Sequence, residues 1–320
     1  MKLSLEFDRV RRTLAAAVRA ASASWNRERD RNRIAGPVEP LSEEVLFAVE
    51  KIRGKDRPPV IFVHGVMTRS GTNYCGDLLR QHSDIEAYPY NLWEVPLLQA
   101  KREVNLLQNA FVAGYRKNKS VLGPGAFEAL VGAAFVGFMH AGVPEDKRLL
   151  VKVPRVSYLS HFSTMFPKED CLLLLRDGRD VVASSMKTWP GKDFSDTARM
   201  WRDSTVLMRH VFRQQIGQRI CRMYKFENLS DNPEQFVRDA CESYDLDSQH
   251  YPFENVATLT VHGSSNLFSA GEVNWEPQEK PKDFVSSGKW QGWTYREKAR
   301  FKRVAGDVLI ESGYASDNNW

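Results

Sequence analysis

The chain has 320 residues, 42% of them hydrophobic, and its 45 basic and 40 acidic side chains give a net charge of +5. This apolar content is enough for a sizeable core and excludes a disordered chain. The small positive balance suits an anionic small molecule. A nucleic-acid partner is not expected, because there is no long basic tract and no zinc-finger or RNA-binding motif.

The chain begins with residues rich in alanine and arginine. Residues 5–33 predict one helix that ends near Gly36 and Pro37, so we expect residues 1–36 to form a helical extension and residues 58–316 to form the main domain. The apolar side of this helix permits contact with a membrane surface or a second copy, and a solvated extension is the simpler alternative.

Neither a membrane-spanning segment nor a secretory signal is predicted. The longest apolar run, residues 129–139, is too short to cross a bilayer, and small residues between Gly132 and Gly137 indicate close helix packing instead. Charged residues interrupt any apolar core at the N-terminus. We therefore expect a soluble, cytoplasmic protein.

The four cysteines are widely separated and form no CxxC pair: Cys75, Cys171, Cys221 and Cys241. Two of them lie in apolar, strand-like runs, where a thiol usually acts as a small hydrophobe. This usage predicts a reducing compartment and neither a disulfide framework nor a metal site.

Short apolar runs alternate with longer stretches of helical periodicity. The predicted strands cover residues 60–64, 149–153, 171–175 and 220–226. Strands without a polar face are typical of parallel sheets covered on both sides. The sequence therefore predicts an α/β fold with three layers, in which a central parallel sheet has helices on both faces, as in P-loop nucleotide-binding proteins.

The segment VIFVHGVMTRSGTNYCGDLL, residues 60–79, predicts an anion site. A strand leads through a turn into a helix from about Thr72, where free backbone N–H groups and the helix dipole attract negative charge. Gly71 lets the main chain approach phosphate oxygens, Ser70 and Thr72 offer hydroxyl groups, and Arg69 supplies a positive charge.

Three common nucleotide or hydrolase motifs are absent from the sequence. The turn lacks the GxxxxGK[ST] pattern of nucleoside-triphosphate loops, because the cation precedes the glycine instead of following it. No serine stands in a GxSxG elbow, which argues against an α/β-hydrolase, and no GxGxxG follows the first strand.

A second anion site is predicted in CLLLLRDGRDVVASSM, residues 171–186. A buried strand ends at Arg176, and Ser184 lies one to two turns into the next helix, on a face that can look back at Arg176. Such a pair can grip one phosphate through the guanidinium and the hydroxyl. The alternative is that Arg176 pairs with Asp180 or Asp203.

These two segments resemble the nucleotide-binding segments of sulfotransferases that use 3'-phosphoadenosine 5'-phosphosulfate (PAPS). The resemblance implies transfer of a sulfuryl group to a hydroxyl or amine of a small-molecule, carbohydrate or lipid acceptor, with release of 3'-phosphoadenosine 5'-phosphate (PAP) and no metal. It implies that the first segment holds the 5'-phosphosulfate and that Arg176 and Ser184 hold the 3'-phosphate. The residues implied for the first segment are Arg69, Ser70, Gly71, Thr72, Asn73 and Tyr74.

The resemblance continues towards the C-terminus. Tyr224-Lys225-Phe226-Glu227-Asn228-Leu229 is similar to the family's Tyr-Glu-Asp-Leu segment, which places Phe226 against the adenine. Gly288-Lys289-Trp290, before a predicted helix over residues 296–312, resembles the closing segment that covers the nucleotide. Lys289 is therefore expected as a second cation at the 3'-phosphate.

The resemblance also assigns catalytic roles. Arg69 would act on the bridging oxygen and 5'-phosphate, and Lys152 would neutralise the moving sulfuryl group. The family's common catalytic histidine is replaced by Pro154. Glu94 is the first candidate for the base, since apolar neighbours would raise its pKa, and His64 is the second. Lesser candidates are Glu86, His140 and His161.

Two other readings of the chain stay open at this stage. One is a P-loop-like kinase or nucleotide-binding protein with a degenerate phosphate loop. The other is a scaffold that keeps the fold without a catalytic base. Acceptor specificity is expected in residues 91–148 and 266–287, which carry no motif.

Overall fold

The structure is a computed structural model that describes residues 34, 39–88, 92, 94–115, 117–118, 122–214, 221–268, 272–282 and 284–320. The predicted N-terminal helix over residues 5–33 lies outside these residues. All further structural statements concern the described part of the chain.

The helices alternate with strands for most of this length. The strands are β1 (Ile61–Gly65), β2 (Ile85–Ala87), β3 (Arg148–Val153), β4 (Asp170–Leu175), β5 (Cys221–Lys225), β6 (Val261–His262) and β7 (Pro277–Gln278). The helices are α1 (Glu43–Arg53), α2 (Thr72–Leu79), α3 (Lys101–Gly114), α4 (Ala126–His140), α5 (Phe162–Met165), α6 (Gly178–Thr188), α7 (Phe194–Gln214), α8 (Phe226–Asp231), α9 (Pro233–Ser243) and α10 (Tyr295–Glu311). Short 3₁₀ helices occur at Leu98–Ala100, Leu159–His161, Ser248–His250, Phe253–Asn255 and Lys289–Gly292.

A five-stranded sheet in the order β2-β3-β1-β4-β5 forms the centre of the protein. All four neighbouring pairs run parallel, so the predicted α/β fold with a central parallel sheet is confirmed. The four predicted strands agree with the structure to within one residue at each end. The edge strand β2 was not predicted, because its three residues are too few to show a pattern.

Alternate residues of each strand face two separate hydrophobic layers. On one face, Phe62 and Leu173 pack with side chains of α4, α6, α7 and α10, including the fully buried Trp201. On the other face, Val63 and Leu172 pack with side chains of α2 and α9. Because both faces are covered, the strands need apolar residues at successive positions, which explains the uniform run at β4.

Strand β1 lies at the point where the chain reverses its direction of winding. It pairs with β3 on one side and β4 on the other, so the segments after β1 and β4 leave the sheet with a crevice between them. Ligands of open α/β sheets bind in this crevice, beyond the carboxyl ends of the strands. The turns after β1, β3, β4 and β5 therefore meet at one edge.

Helix α4 packs closely on its neighbours through glycine. A Cβ atom at Gly132 would lie 1.9 Å from the Met165 carbonyl oxygen, and one at Gly137 would lie 2.5 Å from that of Ile52. The expected close packing of this apolar run is thus present. Among the described residues, no helix combines the length and the apolar character that crossing a membrane requires.

We predict that Gly132→Ala lowers the free energy of unfolding by about 1–3 kcal/mol, because the added methyl group has no room beside the Met165 backbone. Gly114→Ala at the end of α3 is the control, since a Cβ atom there meets nothing within 4 Å. Denaturant unfolding of both variants provides the measurement. Equal stability of Gly132→Ala and the wild type would contradict the packing described.

Candidate functional site

A cavity of about 430 Å³ opens at the carboxyl edge of the sheet. Its walls come from the turn after β1, the residues that follow β3, β4 and β5, and a C-terminal segment between residues 261 and 289. The cavity thus lies at the position that the reversal of winding at β1 predicts. It brings both predicted anion-binding segments to one place.

The turn between β1 and α2 is fixed by the backbone of Gly71 and the side chain of Ser70. Gly71 adopts the left-handed conformation at φ 90° as the N-cap of α2, and a Cβ atom there would lie 2.2 Å from the Phe226 ring. Ser70 accepts a hydrogen bond from the Met67 N–H at 3.1 Å and donates one to the Met67 carbonyl at 2.5 Å. The Ser70 hydroxyl therefore closes the turn, while Thr72 and Asn73 line the cavity.

Cationic and hydroxyl side chains converge where the two predicted sites meet. Arg69 Nε donates to Ser184 Oγ at 3.0 Å, and Ser184 Oγ donates to Ser265 Oγ at 2.9 Å. Lys289 Nζ donates to the same Ser265 oxygen at 2.8 Å. Arg176 joins this group by donating to the Arg69 carbonyl at 2.9 Å. We call these five residues the cation cluster.

The cation cluster is buried without a neutralising carboxylate. Within the described part of the chain, no carboxylate lies at ion-pair distance from Arg69, Arg176 or Lys289. The remaining hydrogen bonds of the two arginines go to the carbonyls of Gly263 and Ser286, and Arg176 Nε has no hydrogen-bond partner. The carboxylates of Asp180, Glu227 and Asp177 act on Arg176 only from beyond ion-pair distance, so the cluster is suited to bind an anion directly.

The pKa shifts reflect this crowding of like charges. Burial and the nearby Arg176 lower the pKa of Arg69 to about 10. Burial, with Arg176 and Arg69 adding to it, lowers the pKa of Lys289 to about 7. An anion placed among these groups would favour their charged forms.

Asp180 does not pair with Arg176, the alternative that the sequence left open. Its two carboxylate oxygens accept hydrogen bonds from the Gly288 N–H at 2.9 Å and the Lys289 N–H at 2.6 Å. These bonds tie the C-terminal segment to the start of α6. Asp180 therefore holds the backbone that carries the Lys289 ammonium to the cluster.

A second group of polar side chains lies around Lys152, at the end of β3. Lys152 Nζ donates to Asn73 Oδ1 at 2.5 Å. Glu94 is half-buried and lines the cavity. Burial raises the pKa of Glu94, against the opposing effects of Lys152 and Arg155. A carboxylate with a raised pKa near a lysine is an arrangement suited to proton transfer.

His64 is buried beneath the site and does not line the cavity. Its Nδ1 atom donates to the Arg155 carbonyl at 2.9 Å, and its ring packs against Phe62 and Phe162. Burial lowers the pKa of His64 to about 4. Glu94 thus reaches the cavity and His64 does not.

Two aromatic side chains line the cavity near the turn. The Phe226 ring lies between Gly71 and the Arg176 guanidinium, whose central carbon is 4.2 Å from the ring centroid. Tyr74 accepts a hydrogen bond from Lys280 Nζ at 3.0 Å. Flat side chains beside an anion site are suited to hold a planar base.

Sequence reasoning missed several residues of the site. No pattern in the sequence gives Ser265 a role, although it joins Ser184 to Lys289. Lys280 and Arg155 belong to no motif, and only the folded chain shows that they line the cavity. Their positions depend on how the C-terminal segment crosses the sheet edge, which no local pattern records.

Comparisons with known proteins agree with this description. A protein-family model described as "Sulfotransferase family" matches residues 59–250, more than half of the chain. No curated protein matches.

Among solved structures, the sulfotransferase domain of the Synechococcus PCC 7002 olefin synthase is 19% identical, with a TM-score of 0.48, and the match covers 79% of this chain and 95% of that chain. A sulfotransferase from Alicyclobacillus acidocaldarius is 15% identical, with a TM-score of 0.41 and coverage of 79% and 94%. Mouse sulfotransferase SULT7A1 complexed with PAP is 11% identical, with a TM-score of 0.44 and coverage of 85% and 94%.

The low pKa of Lys289 predicts a pH-dependent stability for the free protein. Between about pH 7 and the ordinary lysine value of 10.5, the unfolded chain binds more protons than the folded one, so this group makes stability rise with pH. The gain is absent below pH 7. Lys289→Met should reduce the difference in free energy of unfolding between pH 9 and pH 6 by about 1–2 kcal/mol. Denaturant unfolding at both pH values tests this, and Lys282→Met, at an exposed lysine, is the control. The same pH dependence of the free energy of unfolding in Lys289→Met and the wild type would contradict the prediction.

Proposed function

The chain belongs to the sulfotransferase family, and we propose that it transfers the sulfuryl group of PAPS to a hydroxyl or amine of a small-molecule, carbohydrate or lipid acceptor and releases PAP. The observation that carries this proposal is the cation cluster. Its three cations line the same cavity as the N-terminus of α2 and the Phe226 ring, so one ligand can contact an anion site, a helix start and an aromatic face.

We assign the 3'-phosphate of the donor to the cation cluster. Arg176, Ser184 and Lys289 were expected there from the sequence, and Ser265 is added by its bonds to Ser184 and Lys289. Arg69 was expected at the 5'-phosphate, but its guanidinium bonds to Ser184. We therefore reassign the Arg69 side chain to the 3'-phosphate end.

The 5'-phosphosulfate is assigned to the start of α2. Its backbone N–H groups at Thr72 and Asn73 and the positive end of the helix dipole favour an anion. Lys152 adds a positive charge there, next to Asn73. The adenine is assigned to Phe226 and Tyr74, which line the same cavity.

Transfer then requires in-line attack by the acceptor. The acceptor oxygen or nitrogen forms a bond to sulfur while the bond from sulfur to the 5'-phosphate oxygen breaks, and the electron pair leaves with PAP. Lys152 stabilises the charge that develops on the sulfuryl and phosphate oxygens. Glu94 accepts the proton that the acceptor loses.

Arg176→Ala tests the nucleotide assignment. Each charge-assisted hydrogen bond lost should cost about 1.5–3 kcal/mol, so PAP binding should weaken at least tenfold. Adenosine 5'-monophosphate lacks the 3'-phosphate, so it should bind the wild type more weakly than PAP does. Its affinity should be nearly the same for Arg176→Ala and the wild type. Calorimetry with both nucleotides gives the comparison, and Arg199→Ala on the exposed face of α7 is the control.

Arg69→Ala distinguishes the two positions for Arg69 in the same experiment. If Arg69 binds the 3'-phosphate, only PAP binding weakens, as in Arg176→Ala. Equal losses for both nucleotides would return Arg69 to the 5'-phosphate. Wild-type protein that binds PAP no better than adenosine 5'-monophosphate would exclude the proposed donor.

Glu94→Gln tests the assigned base. The variant should keep PAP binding and lose roughly 10²- to 10⁴-fold in kcat, the usual contribution of a general base. In the wild type, kcat should fall at low pH as Glu94 becomes protonated, and burial raises the pKa at which this happens. The kcat of the variant should not show this fall. A comparable loss in His64→Ala with full activity of Glu94→Gln would instead assign the base to His64.

A further inference from the structure

The cavity extends beyond the groups assigned to the nucleotide. Arg155 and Trp189 line it in addition to Glu94 and Pro154. Pro154 and Arg155 follow β3, Trp189 follows α6, and Glu94 lies between β2 and α3. None of them belongs to the cation cluster. If the proposed function holds, on which this inference rests, the acceptor occupies this part of the cavity, because Glu94 must reach its proton.

The backbone of Arg155 is firmly held, while its side chain is exposed. Its carbonyl accepts the hydrogen bond from His64, and its N–H donates to the Val153 carbonyl at 2.8 Å. The preceding Pro154 is buried. Among the described residues, the Arg155 guanidinium makes no hydrogen bond or ion pair. The fold thus places at the cavity a guanidinium that forms no hydrogen bond or ion pair within the described residues.

A second cation, Lys192, packs against Trp189. Lys192 Nζ packs 3.8 Å from the centroid of the Trp189 ring, and the Lys192 N–H donates to the Trp189 carbonyl at 3.1 Å, so a tight turn holds both residues together. Lys192 does not line the cavity itself, but its contact with Trp189 places the ammonium against a residue that does. Burial and the charge of Arg155 lower the pKa of Lys192. Within the described residues, Lys192 has no carboxylate at ion-pair distance.

The charges around the cavity bear on the kind of acceptor that it can take. Within the part of the chain that the structure describes, Glu94 is the only acidic residue that lines the cavity. It must be ionised to act as a base. An anionic acceptor would be repelled by Glu94 unless cations compensated it. Arg155 and Glu94 both line this cavity, and the charge of Arg155 opposes the effect of burial on the pKa of Glu94. The guanidinium can therefore supply that compensation.

We propose that the acceptor carries a carboxylate or sulfate group near the hydroxyl or amine that receives the sulfuryl group. Arg155 and Lys192 bind this anionic group, with the guanidinium able to contact two of its oxygens at once. The exposed part of Trp189 packs against the apolar face of the acceptor. Arg155 and Lys192 therefore determine specificity and take no part in the chemical step.

The test uses a library of hydroxyl and amine acceptors, which includes sugars, phenols and alkyl alcohols. Each scaffold is present in a neutral, a carboxylated and a sulfated form. One such set is 4-nitrophenyl glucoside, 4-nitrophenyl glucuronide and 4-nitrophenyl glucoside 6-sulfate. Mass spectrometry follows the added sulfate, with PAPS as donor, and gives kcat/KM for each form. We expect the anionic forms to exceed the neutral form of the same scaffold at least tenfold, the value of one charge-assisted contact.

Variants then assign the preference to the two cations. Arg155→Ala and Lys192→Ala should each lower kcat/KM about tenfold for the anionic forms and leave the neutral form within about twofold. Lys192→Ala repeats the test in case Arg155→Ala alters folding. Arg296→Ala, which removes an exposed charge on α10 outside the cavity lining, should change none of these rates.

Each other result overturns a defined part of the proposal. Equal or faster sulfation of the neutral forms would refute the anionic acceptor and leave the proposed function intact. Equal losses for all three forms in Arg155→Ala would assign Arg155 to the donor sulfuryl group instead. Retained PAP binding with no sulfate added to any library member would refute the proposed function itself.

Discussion

Three cations that converge on one cavity are the feature on which the site depends, and among the described residues none of them has a carboxylate at ion-pair distance. Like charges repel each other more strongly the less water surrounds them. The rest of the fold must therefore hold these three side chains together. The parallel sheet provides that fold, because β1 and β4 are neighbours and their carboxyl ends bring Arg69 and Arg176 to the same edge. Hydroxyl groups and backbone carbonyls then accept hydrogen bonds from these cations without cancelling the charge, and Arg176 Nε has no such partner.

The same arrangement links anion binding to the C-terminal segment. Gly263 and Ser286 supply the carbonyls that the two arginines bond to, and Asp180 holds Gly288 and Lys289 by their N–H groups. A phosphate in the cluster would offer stronger, charged acceptors than these carbonyls. Binding would therefore exchange contacts within the segment for contacts to the ligand, while Asp180 keeps the segment in place.

The sequence predicted the sheet well and the direction of side chains less well. Apolar runs revealed four strands, because strands buried on both faces must be apolar at successive positions. The turn at Gly71 and the pair Arg176 and Ser184 were also visible as local patterns. The bonds of Arg69 and Ser70 were not, because a left-handed backbone at Arg69 and a closed turn at Ser70 decide where these side chains go. His64 likewise looked available from the sequence, and only tertiary packing buries it.

The buried His64 has a structural role, which differs from the catalytic one expected from the sequence. Strands β1 and β3 pair in a register that sets His64 opposite Val153, so the ring lies beside the turn after β3 and can bond to the Arg155 carbonyl. The residue that precedes the phosphate-binding turn thus also fixes the backbone at the proposed acceptor side. The phosphate-binding turn follows β1 and the Arg155 backbone follows β3, so the register of these two strands helps to set the distance between donor and acceptor. In-line transfer depends on that distance, because small displacements of the reacting atoms weaken catalysis severely.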